Sequence, residues 1–428
     1  MNTKELARCR TRLERFLEDL LAPLGRTDRR HWGEVYVCGL LLDGERKSIE
    51  PLAQRLPDGD VQALQQLLGQ SPWDATPVRA HLAQRMAHEL SPGAAWVVDE
   101  VGFPKQGKQS VGVARQYCGT LGKVGNCQVA VSLNFTTDDG SFPVDWRLYL
   151  PERWTVDPAR CAAAGVPPGT RFQTKWELAL ACCDQARTWG LPDGVVLADS
   201  GYGDVPAFRE GLAARRLRYV VEVDRTGLVW TTPQTRQPVP YRGRGPHPKP
   251  QYGGPPPAAV PAVARRLPRT AWRTIRWREG TQGPLASRFA ACRVQPAPGY
   301  REGAPEHPVG WLLIEWPLGA EAPIKYWLAN LPAPTTLRRL VRWAKSRWRI
   351  EQDYRQLKRE LGLDHFEGRA WRGWHHHVTL VSVAYAFLML EALRGKKNFW
   401  VDPAEDAPGD TTAAGNVDRD VPHVRPAG

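Results

Sequence analysis

The run AAWVVDEVGF, residues 94–103, decides how the rest of the chain is read. Its aromatic and β-branched residues describe a short buried strand, yet an acidic pair, Asp99 and Glu100, interrupts it. A carboxylate inside such a run is expensive to desolvate unless it is paired or binds a metal. Where it closes the apolar run, it faces the crevice in which open α/β sheets hold ligands. The layout recurs in VVLADSGYGD (195–204), whose apolar run ends at Asp199. Either residue alone could be a turn or capping aspartate. Two of them predict that separate strands deliver carboxylates to one place.

Around these strands the pattern is that of a mixed α/β sheet. QVAVSLNFTT (128–137) and FPVDWRLYLP (142–151), separated by DDGS, read as a hairpin. A helix follows in TKWELALACCDQARTWG (174–190), then the Asp199 strand and its turn, a helix in VPAFREGLAARRL, and a strand in RYVVEVDR (218–225). Residues 1–90 show helical periodicity in short pieces and predict a helical N-terminal domain, with DNA binding as one role and a plain bundle as the other. The core would begin over 91–225 and be completed over 326–398. Between these parts, 226–325 holds a Pro/Gly-rich stretch and strand-like runs, which predict a β-rich insertion. A strand-like IKYWLANLP (324–332), a long helix from near Thr335 and an apolar helix over 376–394 come next, and 399–428 has a disordered composition.

With 428 residues and a net charge of +13, the chain suits a polyanionic partner, nucleic acid first. The opening residues lack the layout of a signal peptide, and no apolar run approaches the length of a membrane span, so the expected location is cytoplasmic with no membrane partner. Eight scattered cysteines (9, 38, 118, 127, 161, 182, 183 and 292) include no Cys-x-x-Cys pair, which disfavours structural zinc and a disulfide framework.

RWRIEQDYRQLKREL (347–361) supplies a third carboxylate, Glu351, in an arginine-rich helix. At about 100° per residue, Trp343, Ile350, Tyr354, Leu357 and Leu361 form one apolar stripe at about −60° to −120° from Glu351. Arg347 and Lys358 flank Glu351 at the edge of that stripe. An ordinary salt-bridged helix face gives the same picture. With Asp99 and Asp199, however, a cluster of three carboxylates is the more economical reading. An all-oxygen donor set favours Mg2+ or Mn2+, and a pair of such ions suits phosphodiester chemistry. Arg347, Lys358 and Arg355 would then hold the DNA backbone.

Three blocks, VVDEVGFPKQGKQSVGVARQYCGTLGKVGNCQVAVS (97–132), VVLADSGYGD (195–204) and RWRIEQDYRQLKRELGLDHFEGRAWRGWHHHVTL (347–380), resemble those of bacterial insertion-sequence transposases of the DDE superfamily. The resemblance runs from about residue 30 to 395. It implies a ribonuclease-H-like mixed sheet flanked by helices, with Asp99, Asp199 and Glu351 as the catalytic, metal-binding triad and 226–325 as the insertion before the glutamate. It also implies cleavage at the terminal inverted repeats of an element, strand transfer into target DNA, and a homodimer assembled on the ends. Arg347 and Lys358 match the family's Arg four before and Lys seven after the glutamate. The Tyr three before that Arg is Ala344 here, and the Thr of the first block is Val101. A nuclease that cuts without joining and a non-catalytic DNA-binding regulator are the rival readings.

The stretch KQGKQSVGVARQYCGTLGK (105–123) joins two expected strands and offers Lys105, Lys108, Arg115 and Lys123 to phosphates. It contains no Walker motif, so ATP use is not expected. His375, His376 and His377 point to different faces of a helix, which favours packing or phosphate contact over metal binding. Trp230, Trp272 and Trp277 in the insertion suit packing better than base stacking.

Overall fold

The computed structural model describes residues 3–90, 95–241, 243–245, 251–280, 283–297 and 306–395; the C-terminal segment 399–428 lies outside them. Five helices come first: α1 (Thr3–Leu20), α2 (Thr27–Leu41), α3 (Ile49–Gln54), α4 (Val61–Gly69) and α5 (Ala75–Glu89). Asp60 and Asp74 cap α4 and α5, Asp60 accepting from the Gln62 and Ala63 amides and Asp74 from the Thr76 amide. Then come β1 (Ala95–Pro104), β2 (Ala114–Cys118), β3 (Lys123–Thr136) and β4 (Ser141–Leu148). Next are the short α6 (Glu152–Thr155) and α7 (Pro158–Ala163), followed by α8 (Lys175–Thr188), which a Thr174–Glu177 capping box starts. The alternating part continues with β5 (Val195–Ala198), α9 (Ser200–Gly203), α10 (Pro206–Ala214) and β6 (Tyr219–Val223).

Strands β7 (Leu228–Trp230), β8 (Arg236–Gln237), β9 (Gln251–Tyr252) and β10 (Ala258–Ala259) precede α11 (Val260–Arg266). The longer β11 (Arg273–Gly280), β12 (Gly283–Pro296), β13 (Gly310–Pro317) and β14 (Lys325–Ala329) follow. The chain closes with α12 (Leu337–Ser346), α13 (Arg349–Arg359) and α14 (Trp371–Gly395).

A twelve-stranded sheet organises the molecule in the order β10-β7-β12-β13-β14-β6-β5-β1-β3-β2, with β11 paired to β12 and β4 to β3. Among the described residues only the β1–β5 and β5–β6 ladders are parallel; the remaining ladders are antiparallel. The fold is therefore mixed α/β, a large and mostly antiparallel sheet flanked by helices. Strands β11 to β13, expected to form an insertion, continue this same sheet through β14 and β6. Trp272 meets Trp316 edge-on at 5.2 Å, Trp277 meets Phe289 at 5.6 Å, and Trp230 donates its indole N–H to the Pro255 carbonyl.

Helix α14 is the pivot of the larger core, in which Phe16, Tyr36, Leu64 and Met86 of the N-terminal helices share one cluster with Val378, Val381, Tyr385 and Phe387. It also amends a sequence expectation. Trp371–Arg394 is long and apolar enough to cross a membrane, but 78% of its apolar window is buried inside the fold. Of its three histidines, His376 and His377 are buried and His375 is half-buried. His376 lies between the Leu68 and Trp73 carbonyls at 2.9 and 2.8 Å and stacks on Trp73, while His377 meets the Tyr36 hydroxyl at 2.8 Å.

A second cluster forms on the other side of the central strands. Ala95 and Val97 of β1, Leu197 of β5 and Val220 of β6 pack there against Leu340, Val341, Trp343 and Ile350. Since side chains alternate along a strand, Asp99 and Asp199 belong to this face, beneath α12 and α13.

Candidate active site

Strand β5 is only four residues long, and its last pairing with β1 is Val97 with Leu197. Two residues further along each chain stand Asp99 and Asp199. The register alone makes them neighbours on adjacent parallel strands. Asp99 does not end its strand, as the apolar run suggests, because β1 continues to Pro104 on its β3 side, where Asp99 pairs with Ser132. What ends is β5, and its departure opens the edge of β1 into a crevice. The adjacent Glu100 projects to the opposite face and pairs with Lys175 of α8 at 2.6 Å.

The third carboxylate arrives by a break in what the sequence presents as one long helix. Between α12 and α13 the amides of Ile350 and Glu351 bond the carbonyls of Arg347 and Trp348, three residues back, each at 3.2 Å. This tighter turn inclines Arg347 toward the strands. Its guanidinium donates to Asp99 Oδ2 at 3.1 Å and to Glu351 Oε1 at 3.4 Å. One cation thus links the strand carboxylate to the helix carboxylate. Glu351 is the open end of the arrangement, its side chain 63% exposed against 12% for Asp99.

Burial governs the electrostatics of this crevice. Desolvation raises the Asp99 carboxyl to about 7; Arg347 opposes the rise and Asp199 adds to it. Burial pulls Arg347 down, but Asp99, Asp199, Glu351 and Glu222 together raise it above its ordinary value. Asp199 Oδ1 is buried without a hydrogen-bond partner, and so is the nearby Tyr202 hydroxyl. Desolvation and the surrounding carboxylates push Tyr202 well above the usual phenol range.

The expected DNA-contacting cations divide into two groups. Lys358 donates to the Gly102 carbonyl at 2.9 Å and to Thr120 Oγ1 at 2.8 Å, and Lys105 donates to the Phe366 carbonyl at 2.5 Å. Both ammonium groups are tied into the fold, and burial lowers both. Lys108, Arg115, Lys123 and Arg355 are exposed. The segment 105–123 is also more than a connection, for it contains β2 and most of the turn of the β2–β3 hairpin.

Two features near the site escape sequence reading. Asp353 is fully buried on α13, hydrogen-bonded by the Tyr385 hydroxyl at 2.9 Å, and desolvation raises it to about 7. Lys345, in the last turn of α12, binds both oxygens of the buried Glu315 at 2.6 and 2.5 Å and lies 4.4 Å from the centre of the Trp277 ring. Asp353 follows Glu351 by two residues, but its partner Tyr385 lies far along the chain. Glu315 and Trp277 are likewise remote from Lys345, so no local pattern announces either arrangement.

Comparison with known proteins adds a family to this geometry. The model of the DDE superfamily endonuclease family matches residues 19–284, more than half of the chain and a span that includes both aspartates. The chain belongs to this family. A relative described as "Probable transposase for insertion sequence element IS701", from Microchaete diplosiphon, is 28% identical over 187 residues. The alignment covers 43% of this chain and 46% of that relative, so the chain spans about half the length of the curated protein it matches.

Endonucleases of this superfamily generally use divalent metals, and the residues here fit such an ion chemically. The donors are all carboxylate oxygens, as hard cations prefer, and Asp199 Oδ1 is a buried acceptor that nothing satisfies. Among the described residues no three metal-ligating side chains are gathered into a ready cluster. Arg347 lies between Asp99 and Glu351 and supplies positive charge there.

Proposed function

We propose that this protein is the transposase of an insertion sequence, built on a ribonuclease-H-like core centred on β1, β5 and β6. It binds the terminal inverted repeats of its element, cleaves DNA there, and joins the freed 3′ hydroxyls to target DNA in the cytoplasm as a homodimer. The observation that carries this reading is the register of Asp99 and Asp199 on adjacent parallel strands, with one guanidinium tying Asp99 to Glu351. The family and the description of the Microchaete diplosiphon relative support it.

Asp99, Asp199 and Glu351 would hold two Mg2+ or Mn2+ ions. Bound there, such ions supply Lewis-acid activation of the attacking hydroxyl and the leaving oxygen of a phosphodiester. The chain's own residues do the rest. The +13 charge draws in the polyanion, and exposed Arg355, Lys108, Arg115 and Lys123 hold its backbone. Arg347 balances the carboxylates before substrate arrives and turns to a phosphate oxygen when it does. The N-terminal helices, α1 to α5, provide a further DNA-binding surface.

The test uses purified full-length protein, labelled element ends, and either magnesium or EDTA. Joined products in magnesium, lost in Asp199→Ala and Glu351→Gln while salt-sensitive binding persists, are the expected result. Cut ends without joints would assign the chain to nucleases that do not transfer strands. Binding with no metal-dependent product would leave a DNA-binding regulator.

A further inference from the structure

Among the described residues strand β2 ends the sheet, so the hairpin it makes with β3 has one edge without a strand partner. Tyr117 on β2 is directly paired with Val124 on β3, and the two side chains, 56% and 52% exposed, form a bare apolar surface. In a cross-strand pair such side chains lie about 5 Å apart on one face. Arg115, two residues before Tyr117, is on the same face and exposed; Lys123 is exposed at the turn. Neither cation forms a salt bridge among the described residues. No acidic residue occurs between Glu100 and Asp138, a span holding Lys105, Lys108, Arg115 and Lys123. The turn is not free to drift, because Thr120 Oγ1 donates to the Gly102 carbonyl of β1 and accepts from Lys358, seven residues beyond Glu351 on its helix.

From these contacts we infer that the Tyr117–Val124 face of the hairpin is a stacking platform for an unpaired base of the DNA held at the carboxylates. This rests on the nucleic-acid reading above. An exposed phenol ring beside a guanidinium is the combination that binds single-stranded nucleic acid with little sequence preference, the ring covering a base and the cation meeting its phosphate. The tie from the turn to Gly102 and Lys358 holds the hairpin against the strand that carries Asp99 and the helix that carries Glu351. A like-charged second copy is a poorer occupant of this edge, since Arg115 and Lys123 would face their own counterparts.

The test measures binding of the full chain to single-stranded, duplex and single-strand-tailed oligonucleotides with 2-aminopurine in the unpaired positions. Tyr117→Ser is expected to weaken single-strand and tail binding by about tenfold and to remove the 2-aminopurine signal, with duplex affinity little changed. Tyr117→Phe should retain both. Arg115→Gln should weaken all three substrates and lower the salt slope by about one. Since Tyr117 is exposed, circular dichroism of Tyr117→Ser should match the parent. If Tyr117→Ser binds tails like the parent while the parent binds and cuts DNA, the platform is refuted and the transposase reading stands. A parent without affinity for any DNA overturns both. A change in oligomeric state caused by Tyr117→Ser would assign the face to protein contact and overturn the inference.

Discussion

Replacing Asp99 with asparagine should stabilise the protein at alkaline pH while removing its activity. The carboxyl is raised from an ordinary 3.8 to about 7 by burial, even with Arg347 bonded to it at 3.1 Å. Because the folded-state value lies above the unfolded one, the folded chain holds this proton between about 3.8 and about 7, and stability declines as pH rises through that window. At 1.36 kcal/mol per unit, the cost of Asp99 comes to about 4 kcal/mol at pH 8 and about 2 kcal/mol at pH 5.5. Asparagine has the same shape and no charge, and Arg347 keeps Asp199, Glu351 and Glu222 as anionic neighbours. The advantage of Asp99→Asn over the parent should therefore shrink by about 2 kcal/mol between pH 8 and pH 5.5. Groups common to both chains cancel in that difference. Urea unfolding followed by circular dichroism at the two pH values measures it. Magnesium at about a hundred times its dissociation constant should add about 2.7 kcal/mol to the parent and much less to the variant. A variant less stable than the parent by the same amount at both pH values would refute the reasoning, since Asp99 would then be a net stabilising partner of Arg347.

Four further outcomes follow from the packing. Gly203→Ala places a methyl 1.8 Å from the Glu222 carbonyl oxygen, a backbone atom, so thermal unfolding should show a loss of about 3 kcal/mol. Lys345→Met leaves Glu315 buried without its cation and should cost about 3–5 kcal/mol, while the double variant with Glu315→Leu should recover most of it in a double-mutant cycle. Burial lowers His377 from 6.5 to about 4, so the unfolded chain takes up its proton first and stability declines as pH falls from 6.5 to about 4. His377→Gln should flatten that decline by up to about 3 kcal/mol in pH-resolved unfolding, and an unchanged slope would show that His377 is charged when folded. Arg347→Lys should keep the charge but lose the fork that reaches Asp99 and Glu351 together, so single-turnover cleavage should fall well below the parent with DNA affinity less affected.

The sequence by itself determined the local choices. Apolar runs with β-branched residues made β1, β5 and β6 buried strands whatever their partners, and the periodic stripe that includes Ile350 and Leu357 fixed the buried side of α13. Carboxylates interrupting apolar strands stood out because burying one without a partner is so unfavourable, which is why Asp99 and Asp199 were legible. Tertiary structure decided matters of register and termination. That β5 stops at Ala198 while β1 runs on to Pro104, and that the Glu351 helix breaks at Arg347, depends on hydrogen bonds to neighbours that no short window contains. The same holds for the cations. Lys358 and Lys105 have the composition of phosphate contacts, yet the fold brings the Gly102 and Phe366 carbonyls within their reach, and a desolvated ammonium takes the acceptor it is given. The strands of 226–325 carry the same alternating pattern whether they form a separate layer or lengthen an existing sheet, and only the β14–β6 pairing makes them one sheet with the site.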